Sequence, residues 1–130
     1  MNTKKIYVQT SIFAILLVLP LANAQNNAED DFKLARNLFR DAGDYATASK
    51  LFGEFILNYP NNPRISQARL LLARSFRNNN KCESAENAYE AFILKHPDHL
   101  ETSDARRERA ACLSKRGLFK ESAKAYLDIQ

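Results

Sequence analysis

Residues 43–60 of this chain read GDYATASKLFGEFILNYP, and residues 80–97 read NKCESAENAYEAFILKHP. A third version, GLFKESAKAYLDIQ, begins at Gly117. The offset is 37 residues each time. A fixed period between roughly 20 and 50 residues marks a solenoid, in which each unit buries its apolar face against the next. Laid over one another, the copies align Gly43 with Asn80 and Gly117, Tyr45 with Cys82 and Phe119, and Ala48 with Ala85 and Ser122. Phe52 aligns with Tyr89 and Tyr126, Phe55 with Phe92 and Ile129, and Pro60 with Pro97. Upstream, Phe39 falls over Phe76 and Leu113, and Arg36 over Ala73 and Ala110.

Within a copy the apolar spacing is helical. Ala48, Phe52, Phe55 and Ile56 recur at steps that share one face at 3.6 residues per turn, and Ala85, Tyr89, Phe92 and Ile93 repeat them. Leu34, Ala35, Leu38 and Phe39 supply a partner face in copy one, and Ile65, Ala68, Leu72 and Phe76 do so in copy two. Gly43, Asn80 and Gly117 end the first helix of each copy, since Gly and Asn accept the left-handed C-terminal conformation. Pro60 and Pro97 end the second, because the residue before proline is driven out of the α region. Each copy therefore reads as a helix, a tight turn, a second helix and a proline-marked loop. Ala48 and Ala85 sit where two helices cross closely.

Ahead of the repeats, Lys4 and Lys5 precede the apolar run 12–22, IFAILLVLPLA, and Ala22-Asn23-Ala24 has the form of a cleavage site. This is the pattern of a secretory signal peptide over residues 1–24. The run is too short for the roughly 20 residues that span a bilayer. Gln25 follows the site and the first cysteine is Cys82, so a soluble exported chain over 25–130, without a membrane span, is expected. Losing Lys4 and Lys5 lowers the net charge from +4 to +2, a balance that gives no reason to expect nucleic acid as a partner. The polar stretch 25–31, QNNAEDD, reads as a short disordered leader.

The small residue, aromatic and closing proline after a Gly-aromatic turn resemble the tetratricopeptide (TPR) pattern, with GDYATASKLF and GLFKESAKAY similar to the start of the second TPR helix. FILNYPNNP and FILKHPDH resemble the longer repeats of bacterial envelope proteins, especially BamD-like outer-membrane assembly lipoproteins and Tol-Pal periplasmic coordinators. The resemblance implies an all-α, TPR-type solenoid of antiparallel helix pairs, with copies at about 29–65, 66–102 and 103–130. It implies a non-enzymatic scaffold that binds proteins in the periplasm or cell envelope. A different reading makes these repeats the N-terminal module of a larger secreted enzyme, for example one acting on peptidoglycan. The third copy has no closing proline and no polar cap follows it. The expectation is a chain that continues, or an end covered by a partner or by self-association.

In TPR stacks the first helices line a concave groove. Carried over residue by residue, its wall is Lys33, Asn37 and Arg40, then Leu70, Arg74 and Arg77, then Arg107 with Ala111 and Ser114. Such a basic wall suits a segment bearing carboxylates, which arginine holds bidentately; the same residues also read as an ordinary solvated face. Lys33 and Asn37 match the start of the carboxylate clamp of chaperone-binding TPR domains. Leu71, Asp104 and Glu108 stand where the rest of that clamp requires Asn, Lys and Arg, and acids there repel a terminal carboxylate.

Cys82 and Cys112 are the two cysteines. In an oxidising compartment they invite a disulfide, and otherwise they are two small buried residues. Both belong towards one end of neighbouring repeats. His96, Asp98 and His99 are too few for a zinc site, which wants three or four ligands, and read as loop chemistry, His96 standing in the place of Tyr59. No phosphate-binding loop and no nucleophile with a partner base is evident. No cofactor, metal or small-molecule substrate is expected.

Overall fold

A computed structural model of the chain describes residues 26–129. The expected signal peptide over 1–24 lies outside the described residues. The first helix of the described residues, α1, covers 26–37 and continues into a π-helical turn, Leu38–Ala42. Then follow α2 (Tyr45–Asn58), α3 (Ile65–Asn78), α4 (Cys82–Lys95), α5 (Thr102–Lys115) and α6 (Phe119–Leu127). The described residues contain no strand. Consecutive helices from α2 to α6 pack against each other along the chain, the arrangement of a TPR-type α-solenoid.

The period is visible in the backbone. The bounds of α4 are those of α2 shifted by 37, and those of α5 are those of α3 shifted by the same amount. Gly43, Asn80 and Gly117 all have positive φ, at 65°, 60° and 80°. Reversing direction in so few residues needs a left-handed residue, and only Gly and Asn adopt it at low cost. After Asn80 and Gly117, Lys81 N–H donates to the Phe76 carbonyl and Leu118 N–H to that of Leu113, the six-residue closure of a Schellman motif. In copy one Asp44 N–H reaches one residue further back, to Leu38. The π turn absorbs that extra residue. Asp44 then caps α2 by accepting from Thr47 N–H at 3.0 Å.

The core lies in two clusters that repeat each other. One holds Ala28, Phe32, Ala35, Ala48, Phe52, Phe55 and Ala68. The other holds Leu70, Ala73, Cys82, Ala85, Tyr89, Phe92, Ala105 and Cys112. Each hairpin thus buries its aromatic pair and closes with an alanine from the next repeat's first helix, Ala68 and then Ala105. Both are fully buried, as are Ala48 and Ala85. In copy three Ser122 replaces the alanine, and its hydroxyl donates to the Ala110 carbonyl at 2.8 Å, so the added oxygen is satisfied.

Two expectations are corrected at the N-terminus. Residues 26–31 are not a disordered leader but the first turns of α1. Ala28, Phe32 and Ala35 face the core, with the Phe32 ring edge-on to Phe52 and Phe55 at 5.9 and 5.4 Å. Leu34, expected to pack, is 53% exposed. Polar contacts fasten the helix: Arg64 donates to both Glu29 carboxylate oxygens at 2.7 and 2.9 Å, and the Tyr59 hydroxyl donates to Asp31 at 2.7 Å. Arg64 also stacks over Phe32, 5.0 Å from its centroid.

Because Ala48 and Ala85 are fully buried among the packed helices, Ala48→Leu and Ala85→Leu each overpack the core and lower the free energy of unfolding by about 1–3 kcal/mol. Urea denaturation followed by circular dichroism measures this, and two unchanged midpoints would contradict the close crossing.

Candidate functional site

The loop after α2, Tyr59 to Arg64, and the loop after α4, His96 to Glu101, close in the same way. Asn62 Oδ1 accepts from Arg64 N–H at 2.9 Å, and His99 Nδ1 accepts from Glu101 N–H at 3.2 Å. Tyr59 packs on Phe55 and His96 on Phe92, with centroids 5.1 and 5.5 Å apart. The histidines therefore do loop and packing work, and among the described residues no cluster of metal ligands forms.

Between these loops lies an open groove of about 630 Å³. Asn62, Ser66 and Gln67 offer hydrogen-bonding side chains along it, and Pro63 and Leu100 offer apolar surface. Leu100 is 88% exposed. The carboxylates that reach the groove, Glu29 and Glu101, are already engaged, by Arg64 and Arg74.

Arg74 carries the groove's edge into an ion cluster that joins α3, α4 and α5. Its guanidinium contacts Glu101 at 3.0 Å and Glu108 at 3.0–3.2 Å. Arg77 reaches Glu108 at 3.1 Å, and the buried Tyr89 hydroxyl donates to Glu108 at 2.6 Å. Burial alone would lower the Arg74 pKa, but the hydrogen bonds and charges of Glu108 and Glu101 outweigh it and raise the pKa. Burial pushes the Tyr89 phenol up, and the Glu108 carboxylate pushes it further, so it stays a donor.

The structure places the anticipated wall residues unequally. Leu70 is 1% exposed and belongs to the core with Ala105 and Cys112, so it lines no groove. Arg74 and Arg77 hold carboxylates of the neighbouring repeat instead of facing a partner unopposed. Lys33, Asn37 and Arg40 are exposed on the α1 side, and Arg107 is exposed on α5 beside Asp104, with which it pairs. Ala111 is exposed and Ser114 half-buried. Glu108, set aside above as incompatible with a carboxylate clamp, is the centre of the cluster. This role was missed in the sequence, because the arginines lie on α3 and the acids that answer them lie at the start of α5 and along it, one repeat later. Cys82 and Cys112, the first residue of α4 and a residue in the last turn of α5, are both buried, with Sγ atoms 2.7 Å apart.

Antiparallel helical hairpins stacked in sequence at a 37-residue period define a TPR-type repeat protein. The profile of the YfiO family, described as outer membrane lipoprotein, matches residues 25–109, and the chain belongs to that family. No curated protein matches it. Membership makes it an envelope protein, and among the described residues no helix is long and apolar enough to cross a membrane.

Two predictions follow from the ionisable groups. Glu108→Gln removes the charge that Arg74 and Arg77 share and lowers stability by about 2 kcal/mol, measurable as a urea midpoint shift; Glu121→Gln, on exposed α6 surface, serves as the control. Burial, then the positive charges of Arg69, His99 and Lys95, lower the His96 pKa from its ordinary 6.5, and its Nε2 is buried without a hydrogen-bond partner. The unfolded chain therefore binds this proton better than the folded one. Stability falls as pH drops below about 6.5 and levels off beneath the folded value. Thermal melts between pH 7 and 5 should show a smaller loss for His96→Tyr, which installs the residue found at position 59.

Proposed function

We propose that this chain is a non-enzymatic scaffold of the bacterial cell envelope that holds a segment of a partner protein against its first helices. The process served is outer-membrane protein assembly or envelope coordination, on the periplasmic side. Family membership over residues 25–109 is the observation that carries this reading. The groove supports it. Its mixture of amide, hydroxyl and apolar groups suits an extended polypeptide, whose backbone needs hydrogen-bond partners while alternate side chains seek apolar contact.

The partner-contacting residues are Gln67 and Leu100 in the groove, with Lys33, Asn37, Arg40 and Arg107 as the exposed polar residues of the first helices. Arg74 and Arg77 act indirectly by holding α3 to α5. A rigid surface of this kind binds without ordering itself first, which lowers the entropic cost of association.

The test is a photo-crosslinking experiment in intact cells, with the probe at Gln67 or Leu100. A discrete protein adduct is expected at either position, weakened by Lys33→Glu with Arg40→Glu and absent for a probe at Lys50 on α2. Equal adducts from Lys50 and from the groove positions would remove the groove from the proposal.

A further inference from the structure

We propose that Cys82 and Cys112 form an intramolecular disulfide that covalently staples the second repeat to the third. Cys82 takes the register position that Tyr45 holds in the first repeat. There the Tyr45 ring packs edge-on against Phe39, 5.5 Å away, and helps to close the end of the hairpin. Cys82 is too small to do this. What it meets instead is Cys112, at the position that Ser75 holds one repeat earlier. The Ser75 hydroxyl turns back onto the Leu71 carbonyl of its own helix at 2.7 Å. The Cys112 sulfur instead contacts Cys82 on the neighbouring helix. A ring contact in one repeat is thus replaced by a sulfur pair in the next.

The surroundings suit a bond. Both residues are buried, at 7% and 1% exposure, and the chain has no other cysteine to compete. The sulfurs need approach by less than 1 Å to reach a covalent length of about 2.05 Å. Above them Arg116 pairs with Glu86 at 2.7 Å, so the same end of the stack is held by charge outside and by sulfur inside. The bond would close a loop of 30 residues. Closing a loop of that size restricts the unfolded chain strongly and leaves the native fold unchanged.

Formation removes one proton and one electron from each thiol. The electrons pass to the disulfide of a thiol–disulfide exchange protein, whose own pair becomes a dithiol as the Cys82–Cys112 bond forms. Attack requires a thiolate. Burial, and then the neighbouring Cys82, push the Cys112 thiol up, so in the folded reduced chain it is both shielded and poorly ionised. The bond therefore forms as the chain folds, before α5 settles on α4.

Full-length protein expressed for export is quenched in acid, unfolded and treated with a thiol-alkylating reagent, and its intact mass is read with and without prior reduction. No adduct before reduction and two after it are expected. Two adducts without reduction, or a disulfide-linked dimer, would overturn the bond. The melting temperature should fall by about 10 °C on reduction, and an unchanged melt would overturn the stapling role. Refolding from the reduced, unfolded state with oxidised glutathione should form the bond at least about tenfold faster than adding the same oxidant to folded reduced protein. Equal rates would overturn closure during folding. A Cys82→Ser, Cys112→Ser chain that melts with the reduced wild type separates loss of the bond from loss of the fold.

Discussion

The fold depends on a close approach between helices that only small side chains allow. Ala48 and Ala85 let each hairpin's two helices cross, and Ala68 and Ala105 let the following repeat seat over the aromatic pair beneath. Phe52 with Phe55, and Tyr89 with Phe92, are fully or almost fully buried because a neighbour's methyl group, not a longer chain, covers them. The same rings would face water in an isolated hairpin. Stability in this architecture thus resides in the joints between units as much as in the units.

Much of this was legible in the sequence. The helix bounds, the three left-handed turn residues and the equivalence of His96 with Tyr59 all follow from a 37-residue period joined to simple steric rules. The first turns of α1 were hidden by composition. QNNAEDD is polar enough to pass for a disordered leader, although Ala28, Phe32 and Ala35 keep helical spacing. Leu70 was misjudged for another reason. The exposed terminal copies have Lys33 and Arg107 at its register, but an interior helix has a neighbour on each side and buries a position that they leave open.

The ion cluster was the least legible part. Arg74 and Arg77 suggest a basic wall when they are viewed along their own helix. Glu101 and Glu108 answer them from the next repeat, about one period further along the chain, and Tyr89 joins from a third helix. Side-chain partners across a solenoid joint are set by the stacking rotation, which periodicity alone does not supply. The groove between the loops was missed for the same reason: its lining comes from Glu29, from the loop at Asn62 and from the loop at His99, brought together only by stacking.

The answering of Arg74 and Arg77 by acids of the adjacent repeat has an electrostatic consequence. Little uncompensated charge remains on that part of the wall, so long-range steering of an acidic protein towards it is weak whatever the ionic strength. Added salt reaches the partly buried pairs poorly, and the joint they hold between α3 and α5 persists. On the proposed reading, recognition at this wall rests on short-range fit between surfaces already held in shape.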